Sequence, residues 1–211
     1  MNLLRVLFFA LLVRPLVFVL FGVNVRHGSK VPRSGPAVVV ANHNSHLDTL
    51  VLMSLFPLGQ LHLLRPVAAA DYFTRNRLLR WFTEVLLQGI LIARQPSPRA
   101  DPFAELSNAL AAGHILILYP EGSRGEPERL AGFKTGVAHL AKRHPAVGVY
   151  PVFMHGLGKV LPKNDPLPVP FFIDVFVGDP LRWTGDRAVF MAALSGRMAE
   201  LAAEGQFPVW E

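Results

Sequence analysis

The feature that most constrains the fold is a pair of short runs that are apolar at every position. Residues 37–41 read Ala-Val-Val-Val-Ala, and residues 115–118, within a longer run at 114–119, read Ile-Leu-Ile-Leu. A strand with one face in water alternates apolar and polar residues, whereas a strand covered on both faces does not. Both runs therefore predict central strands of a parallel sheet that has helices on either side.

Strand patterns alternate with helical patterns along the rest of the chain. Further strands are expected at 63–69, 89–93, 147–153 and 171–177, and helices at 49–56, 71–87, 103–112, 136–143 and 186–203. This alternation predicts an α/β fold, with a mostly parallel central sheet flanked by helices. Without an internal repeat or a second domain, the 211 residues divide into a membrane-associating apolar helical segment, 1–25, and a single α/β domain, 26–211.

Residues 3–25 form an almost wholly apolar segment, interrupted by Arg5, Arg14 and Asn24. Its length would permit a transmembrane helix. However, Arg14-Pro15 would lie near the bilayer centre, where an arginine costs about 2.5–3.5 kcal/mol and a proline breaks or kinks the helix. We therefore expect two short helices lying in one leaflet, with Arg5 and Arg14 extending to lipid phosphates. A helix buried in the protein core is the alternative, and a signal peptide fits less well because no small-residue cleavage site follows.

Composition narrows the class of partner. The net charge is +6 and the pI about 10.2, which suits an anionic surface or substrate. The basic residues are dispersed among apolar ones, and 51% of the chain is hydrophobic, so a membrane lipid fits better than nucleic acid. The absence of cysteine excludes disulfides, thiolate metal sites and a cysteine nucleophile, and the eight histidines lack the spacing of a metal site.

A histidine and a carboxylate lie five residues apart, His43 and Asp48, directly after the run at 37–41. Active sites of α/β proteins commonly lie at such strand-to-helix junctions. A carboxylate that accepts a hydrogen bond from one imidazole nitrogen leaves the other nitrogen free to take a proton. His43 would then be a general base that Asp48 orients. On spacing alone, His43 and His46 could equally be loop histidines, with Asp48 capping the helix.

Two other strand ends carry polar residues that would meet the first at one edge of a parallel sheet. Arg94 ends one strand, and Glu121-Gly122-Ser123-Arg124 follows another. A glycine allows a ligand to approach the backbone closely, and two arginines can bind phosphate oxygens through paired donors. By itself this tetrapeptide is as consistent with a turn that carries surface charges.

Taken in order, these segments closely resemble the signature blocks of the glycerolipid acyltransferases of the 1-acylglycerol-3-phosphate (lysophosphatidate) acyltransferase type. The resemblance runs from about residue 37 to 177. The matching blocks are Asn42-His43 with Asp48, Gly89 with Arg94, Tyr119-Pro120-Glu121-Gly122-Ser123-Arg124, Phe133-Lys134-Thr135-Gly136, and Tyr150-Pro151-Val152. The chain departs from the family pattern at Tyr119 for phenylalanine, Ser123 for threonine and Gly125 for serine, and at Ala68–Ala70, where members often carry a lysine.

The resemblance implies transfer of a fatty acyl group from acyl-CoA or acyl-carrier protein to the free hydroxyl of lysophosphatidate, which makes phosphatidate. His43 and Asp48 would be catalytic, and no metal or cofactor would be needed. The implied substrate-binding residues are Arg94, Glu121, Gly122, Ser123, Arg124 and Lys134. The missing lysine leaves the acceptor head group open.

The expected location is the cytoplasmic face of the cell membrane, with monotopic or peripheral attachment. The expected partners are a lysophospholipid acceptor, an acyl thioester donor and the membrane surface, without nucleic acid or metal. Three alternatives remain open: another lyso-lipid acceptor, such as an amino-acid-based one, a non-catalytic lipid-binding membrane protein, and a thioesterase that uses the same pair with water.

Overall fold

The computed structural model describes residues 3–73, 76–93, 101–122, 130–160 and 171–207. In these residues one seven-stranded sheet has the strand order β1-β7-β6-β2-β5-β3-β4. The five strands from β6 to β4 in this order are parallel to one another. Strand β7 is antiparallel to β6, and β1 is parallel to β7. The strands are β1 (Val23–Arg26), β2 (Ala37–Ala41), β3 (Leu64–Ala69), β4 (Ile90–Ile92), β5 (Ile115–Leu118), β6 (Gly148–His155) and β7 (Ile173–Val177).

Helices cover both faces of the sheet, so the predicted α/β fold with a mostly parallel central sheet is confirmed. Alternate residues of β2 point into two different cores, with Val39 in one and Val40 in the other. Helices α1, α2 and α7 pack on the first core, and α5, α6 and α8 pack on the second. The helices are α1 (Leu3–Leu20), α2 (Asp48–Ser54), α3 (Ala70–Phe73), α4 (Arg77–Trp81), α5 (Ala104–Ala111), α6 (Gly136–Arg143), α7 (Leu157–Val160) and α8 (Arg187–Glu204).

The prediction of a single helix at 71–87 is wrong, because the helical backbone is interrupted at Asn76 and a new helix begins after it. This residue has an extended backbone, and its side chain accepts hydrogen bonds from the N–H groups of Leu78 and Leu79. An asparagine that satisfies the first free N–H groups of a helix favours a helix start over a helix interior. The result is α3, then α4, then a π-helical turn at Phe82–Leu86.

The break expected at Arg14-Pro15 is also wrong, since α1 is one continuous helix. Arg14 has helical backbone angles, φ −65° and ψ −45°. The stretches on either side of it, Phe9–Val13 and Pro15–Leu20, are π-helical. Their wider turns accommodate the proline ring, which in a regular α-helix would collide with the carbonyl four residues earlier.

The π turns also keep one side of α1 facing the sheet. The buried residues of this helix recur every four positions, at Arg5, Phe9, Val13 and Val17, and the series continues at Phe21 just after the helix. In a regular α-helix, residues four apart advance about 40° beyond a full turn, so this stripe would drift by about 160° over its length. Turns with more residues remove most of that drift. The expected boundary between 25 and 26 falls inside β1, and α1 shares a core with the sheet.

Both arginines of α1 donate to backbone carbonyls of the protein, and the buried Arg5 does not extend to lipid as expected. Arg5 is only 1% exposed, and it donates to the carbonyls of Leu64 (3.3 Å) and Leu87 (2.8 Å) and to Gln88 Oε1 (2.7 Å). Nη2 of Arg14 donates to the carbonyls of Phe56 (2.6 Å) and Ser54 (3.4 Å). Hydrogen bonds from a charged guanidinium to buried carbonyls are stronger than those between neutral groups, so these contacts stabilise the fold.

The outer side of α1 is apolar and exposed. Within the described ranges, α1 is the one helix long and apolar enough to cross a membrane. Its exposed large side chains are Leu3, Leu4, Leu7, Leu11, Leu12, Phe18, Val19 and Leu20.

Candidate active site

The His43–Asp48 pair lies at the carboxyl end of β2, between β6 and β5. His43 Nδ1 is 2.8 Å from Asp48 Oδ2. The side chain of His43 is 21% exposed, whereas that of Asp48 is fully buried. The imidazole therefore presents its second nitrogen, Nε2, as the group available to a substrate.

Three N–H groups converge on one oxygen of Asp48. Besides His43 Nδ1, the backbone N–H groups of Asn44 (2.7 Å) and Ser45 (2.9 Å) donate to Oδ2. Burial raises the pKa of Asp48, and these hydrogen bonds oppose that rise because each one favours the carboxylate. With this oxygen fixed as an acceptor, the proton of the neutral His43 lies on Nδ1 and Nε2 is the basic nitrogen.

The ring of Tyr119 holds the His43 imidazole from the side. The two rings stack with centroids 4.2 Å apart and an interplanar angle of 21°. The Tyr119 hydroxyl is 2.9 Å from Thr49 Oγ1 in the first turn of α2. Burial raises the pKa of Tyr119 well above its usual range, so this hydroxyl stays neutral. The tyrosine thus links β5, the imidazole and the helix that carries Asp48.

Glu121 and Gly122 lie beside the pair at the end of β5. Glu121 is 5% exposed, and its Oε1 accepts a hydrogen bond from the backbone N–H of His43 (3.1 Å). Burial raises the pKa of Glu121. Gly122 has a φ of +74°, and a Cβ added there would lie 2.5 Å from Lys134 Nζ. The ammonium group of Lys134 therefore lies over the backbone of this loop, within the same edge of the sheet.

Gly122→Ala should lower both stability and activity. A non-glycine residue in the left-handed region costs about 1–2 kcal/mol, and the new methyl group would displace Lys134. Thermal unfolding and initial rates would measure both effects. Gly132→Ala is the matched control because no atom lies within 4 Å of its added Cβ and its φ is not in the left-handed region. Equal behaviour of the two variants would contradict a requirement for glycine at 122.

The structure brings together five of the eight residues predicted for the site: His43, Asp48, Glu121, Gly122 and Lys134. The other three, Arg94, Ser123 and Arg124, lie outside the described residues. The strand before Arg94, β4, is the sheet edge, three strand spacings or about 14 Å from β2.

Sequence reasoning missed the roles of Asn42 and Tyr119. The side-chain amide of Asn42 donates to the carbonyl of Met154 (2.8 Å) and accepts from its N–H (2.7 Å), which extends the pairing of β2 with β6 beyond the last strand residue. The signal available was an asparagine directly before the candidate base. Tyr119 differs from the family phenylalanine by one hydroxyl, and the partner of that hydroxyl, Thr49, is 70 positions away.

No group of three or more histidine, aspartate or glutamate side chains among the described residues could hold a metal ion.

A family model described as "Acyltransferase" matches residues 22–155. This range includes α2, the His43–Asp48 pair and the strands from β2 to β6.

Several curated proteins are similar over the same region. The 1-acyl-sn-glycerol-3-phosphate acyltransferase LPAT1, chloroplastic, of Arabidopsis thaliana is 27% identical over 70% of this chain and 40% of its own length. The lyso-ornithine lipid O-acyltransferase of Brucella abortus is 29% identical over 61% of this chain and 46% of its own length. The chain therefore spans less than half the length of these curated relatives.

A solved structure has the same fold. The crystal structure of the 1-acyl-sn-glycerophosphate (LPA) acyltransferase PlsC from Thermotoga maritima aligns over 100% of this chain and 98% of that chain, with a TM-score of 0.73. The sequence identity is 18%, so the likeness is one of fold.

Proposed function

The chain belongs to the acyltransferase family, and from that premise we propose that it transfers a fatty acyl group from an acyl thioester to the free hydroxyl of lysophosphatidate, which yields phosphatidate. The observation that carries the proposal is the 2.8 Å contact between His43 Nδ1 and the buried Asp48. A binding protein has no need of a base oriented in this way. The names of the similar acyltransferases supply the acceptor.

The reaction needs a base that accepts the proton of the acceptor hydroxyl, and a group that stabilises the imidazolium formed when His43 takes this proton. Nε2 of His43 takes the proton of the acceptor hydroxyl as its oxygen attacks the thioester carbonyl carbon. The carbon–sulfur bond then breaks, and the leaving thiolate takes the proton from the imidazolium. Asp48 stabilises the imidazolium between these steps. General-base assistance of this kind contributes about 10²–10⁴-fold to the rate.

The acceptor's phosphate is assigned to the loop after β5. Arg94 and Arg124 would bind it through paired donors, with Lys134 adding a charge above Gly122. Ser123 would offer a hydroxyl, and Glu121 would order the loop through its bond to the backbone of His43. The contact between Lys134 and Gly122 and the burial of Glu121 support this assignment.

An amino-acid-based lyso-lipid is the second candidate acceptor. At the end of β3 and the start of α3 the chain has Ala68–Ala70, where family members often have a lysine. A site with one cation fewer is less selective for phosphate, and one similar protein bears the name lyso-ornithine lipid O-acyltransferase.

A panel of acceptors tested with a single acyl-CoA distinguishes the candidates. We expect thiol release that depends on lysophosphatidate, with phosphatidate identified by mass. If product formed only with an amino-acid-based lyso-lipid, the acceptor would be that lipid rather than lysophosphatidate, and the proposed acyl transfer would stand. A rate of thiol release that is the same with and without every acceptor would indicate a thioesterase. No thiol release at all would indicate a lipid-binding protein.

The phosphate assignment predicts a selective loss in Arg124→Ala. The KM for lysophosphatidate should rise roughly 10- to 100-fold, because a charge-assisted pair is worth about 1.5–3 kcal/mol. The KM for acyl-CoA should change little. The matched control is Arg80→Ala, on an exposed surface pair with Glu84. An equal loss with a phosphate-free acceptor would mean that Arg124 is structural.

We also assign the protein to the cytoplasmic face of the cell membrane, with monotopic or peripheral attachment. Acyl-CoA or acyl-carrier protein acts as a co-substrate, and the mechanism uses no cofactor. The exposed apolar side of α1 and the net charge of +6 support attachment to an anionic bilayer. The buried stripe of α1, including Arg5, favours a helix lying on the bilayer over one that crosses it.

A further inference from the structure

A cavity of about 370 Å³ lies at the seam between α1 and the rest of the domain. Two arginines line it, Arg14 from α1 and Arg33 from the connector before β2, and no acidic residue does so among those that the structure describes. The remaining wall is largely apolar, with Phe18, Val31 and Leu55. A pocket with two cations and apolar walls is complementary to an amphiphilic anion.

Arg14 is held in place by the protein while part of its guanidinium remains available. Nη2 donates to the carbonyls of Phe56 and Ser54, at the carboxyl end of α2. In the part of the chain that the structure describes, Nε and Nη1 have no hydrogen-bond partner. The side chain is only partly buried. A guanidinium fixed on one side loses little conformational entropy when the other side binds a phosphate.

The cavity opens where the protein would meet the phosphates of a bilayer. Phe18 lines the cavity and also belongs to the exposed apolar side of α1, at 41% exposure. A helix lying in the interface buries its apolar side about 5–10 Å below the head groups. Groups at the seam between that helix and the protein body are then at phosphate depth, and Arg33 is exposed there.

We propose that this cavity binds the phosphate of an anionic membrane phospholipid between Arg14 and Arg33, with an acyl chain lying along Phe18. The site is separate from the one assigned to the acceptor. Ser54 and Leu55, which line the cavity, are at the opposite end of α2 from Asp48. That helix has seven residues and is about 10 Å long.

The test is flotation of the intact chain with vesicles of phosphatidylcholine, with and without phosphatidylglycerol. We expect Arg33→Gln to reduce the preference for the anionic vesicles about fivefold, since one basic side chain at the surface contributes about that much. Arg33→Lys should recover only part of the preference, because an ammonium lacks the paired donors. Arg14 is left unchanged because its bonds to α2 contribute to folding.

The control is Arg187→Gln, an exposed arginine at the start of α8, on the other face of the sheet. An equal loss in this variant, or full recovery in Arg33→Lys, would indicate diffuse attraction and overturn the site. Displacement from vesicles by inorganic phosphate would indicate a free-anion site instead. Failure of the unaltered chain to bind either vesicle would overturn membrane attachment itself. None of these measurements depends on acyl transfer, so a negative result for this cavity would not contradict the proposed reaction.

Discussion

Replacing His43 by alanine is expected to abolish acyl transfer while leaving the fold intact. Among the described residues, the imidazole is the one base placed against the buried Asp48, and its loss should cost about 10²–10⁴-fold in kcat. Thiol release measured together with product formation would give the rate, and circular dichroism would report on folding. His46→Ala is the control, because His46 is exposed and lies between the two members of the pair, three positions after His43. An inactive His46→Ala beside an active His43→Ala would reverse the assignment.

Asp48→Asn tests the second member of the pair by removing its negative charge while keeping an oxygen acceptor in the same place. Because His43 Nδ1 and two backbone N–H groups all donate to Oδ2, an asparagine would place its single carbonyl oxygen there. The imidazole would keep its orientation and lose only the negative charge that stabilises the imidazolium. We therefore expect kcat to fall while KM stays nearly unchanged. A rise in KM with unchanged kcat would show that Asp48 serves binding instead.

Arg5→Met is expected to give the largest loss of stability. The variant would leave the buried carbonyl of Leu87 without its donor, at a cost of about 1–3 kcal/mol. The carbonyl of Leu64 and Gln88 Oε1 would each keep a hydrogen bond from Arg65 Nη1, at 2.9 and 3.0 Å. Burial and the neighbouring Arg65 lower the pKa of Arg5 to about 10, so it remains charged at neutral pH. Unfolding by denaturant would measure the change.

The control for Arg5→Met is Arg80→Ala, which removes an exposed ion pair with Glu84. Such pairs contribute about 0–1 kcal/mol. Similar midpoints for the two variants would mean that the Arg5 contacts do not stabilise the fold.

The sequence predicts the parts of the fold that depend on neighbouring residues. The two apolar runs lie in β2 and β5, which are buried on both faces, and this burial is what their lack of alternation indicates. His43 and Asp48 are five positions apart at the junction of β2 and α2, so a short segment brings them together.

The errors arise where distant contacts decide the structure. Nothing within α1 reveals that Arg5 has partners 59 to 83 positions away, so the sequence pattern alone predicts that an arginine in an apolar run extends to lipid phosphate. At Arg14-Pro15 the sequence rule for proline assumes a regular α-helix, and π turns change that geometry. At Asn76 a local side-chain cap outweighs the helical period.

The partners of Arg5 also set an order of events during translation. The helix that contains it leaves the ribosome before residues 64 to 88, which supply its hydrogen-bond acceptors among the residues that the structure describes. Until then both the buried stripe and the outer apolar side of this helix lack a protein surface to cover them. A nearby bilayer therefore has the first opportunity to bind the helix. With the membrane attachment proposed above, the later arrival of Leu64 and Leu87 would withdraw one side from lipid and leave the other in place, so that attachment and folding would be successive steps on one helix.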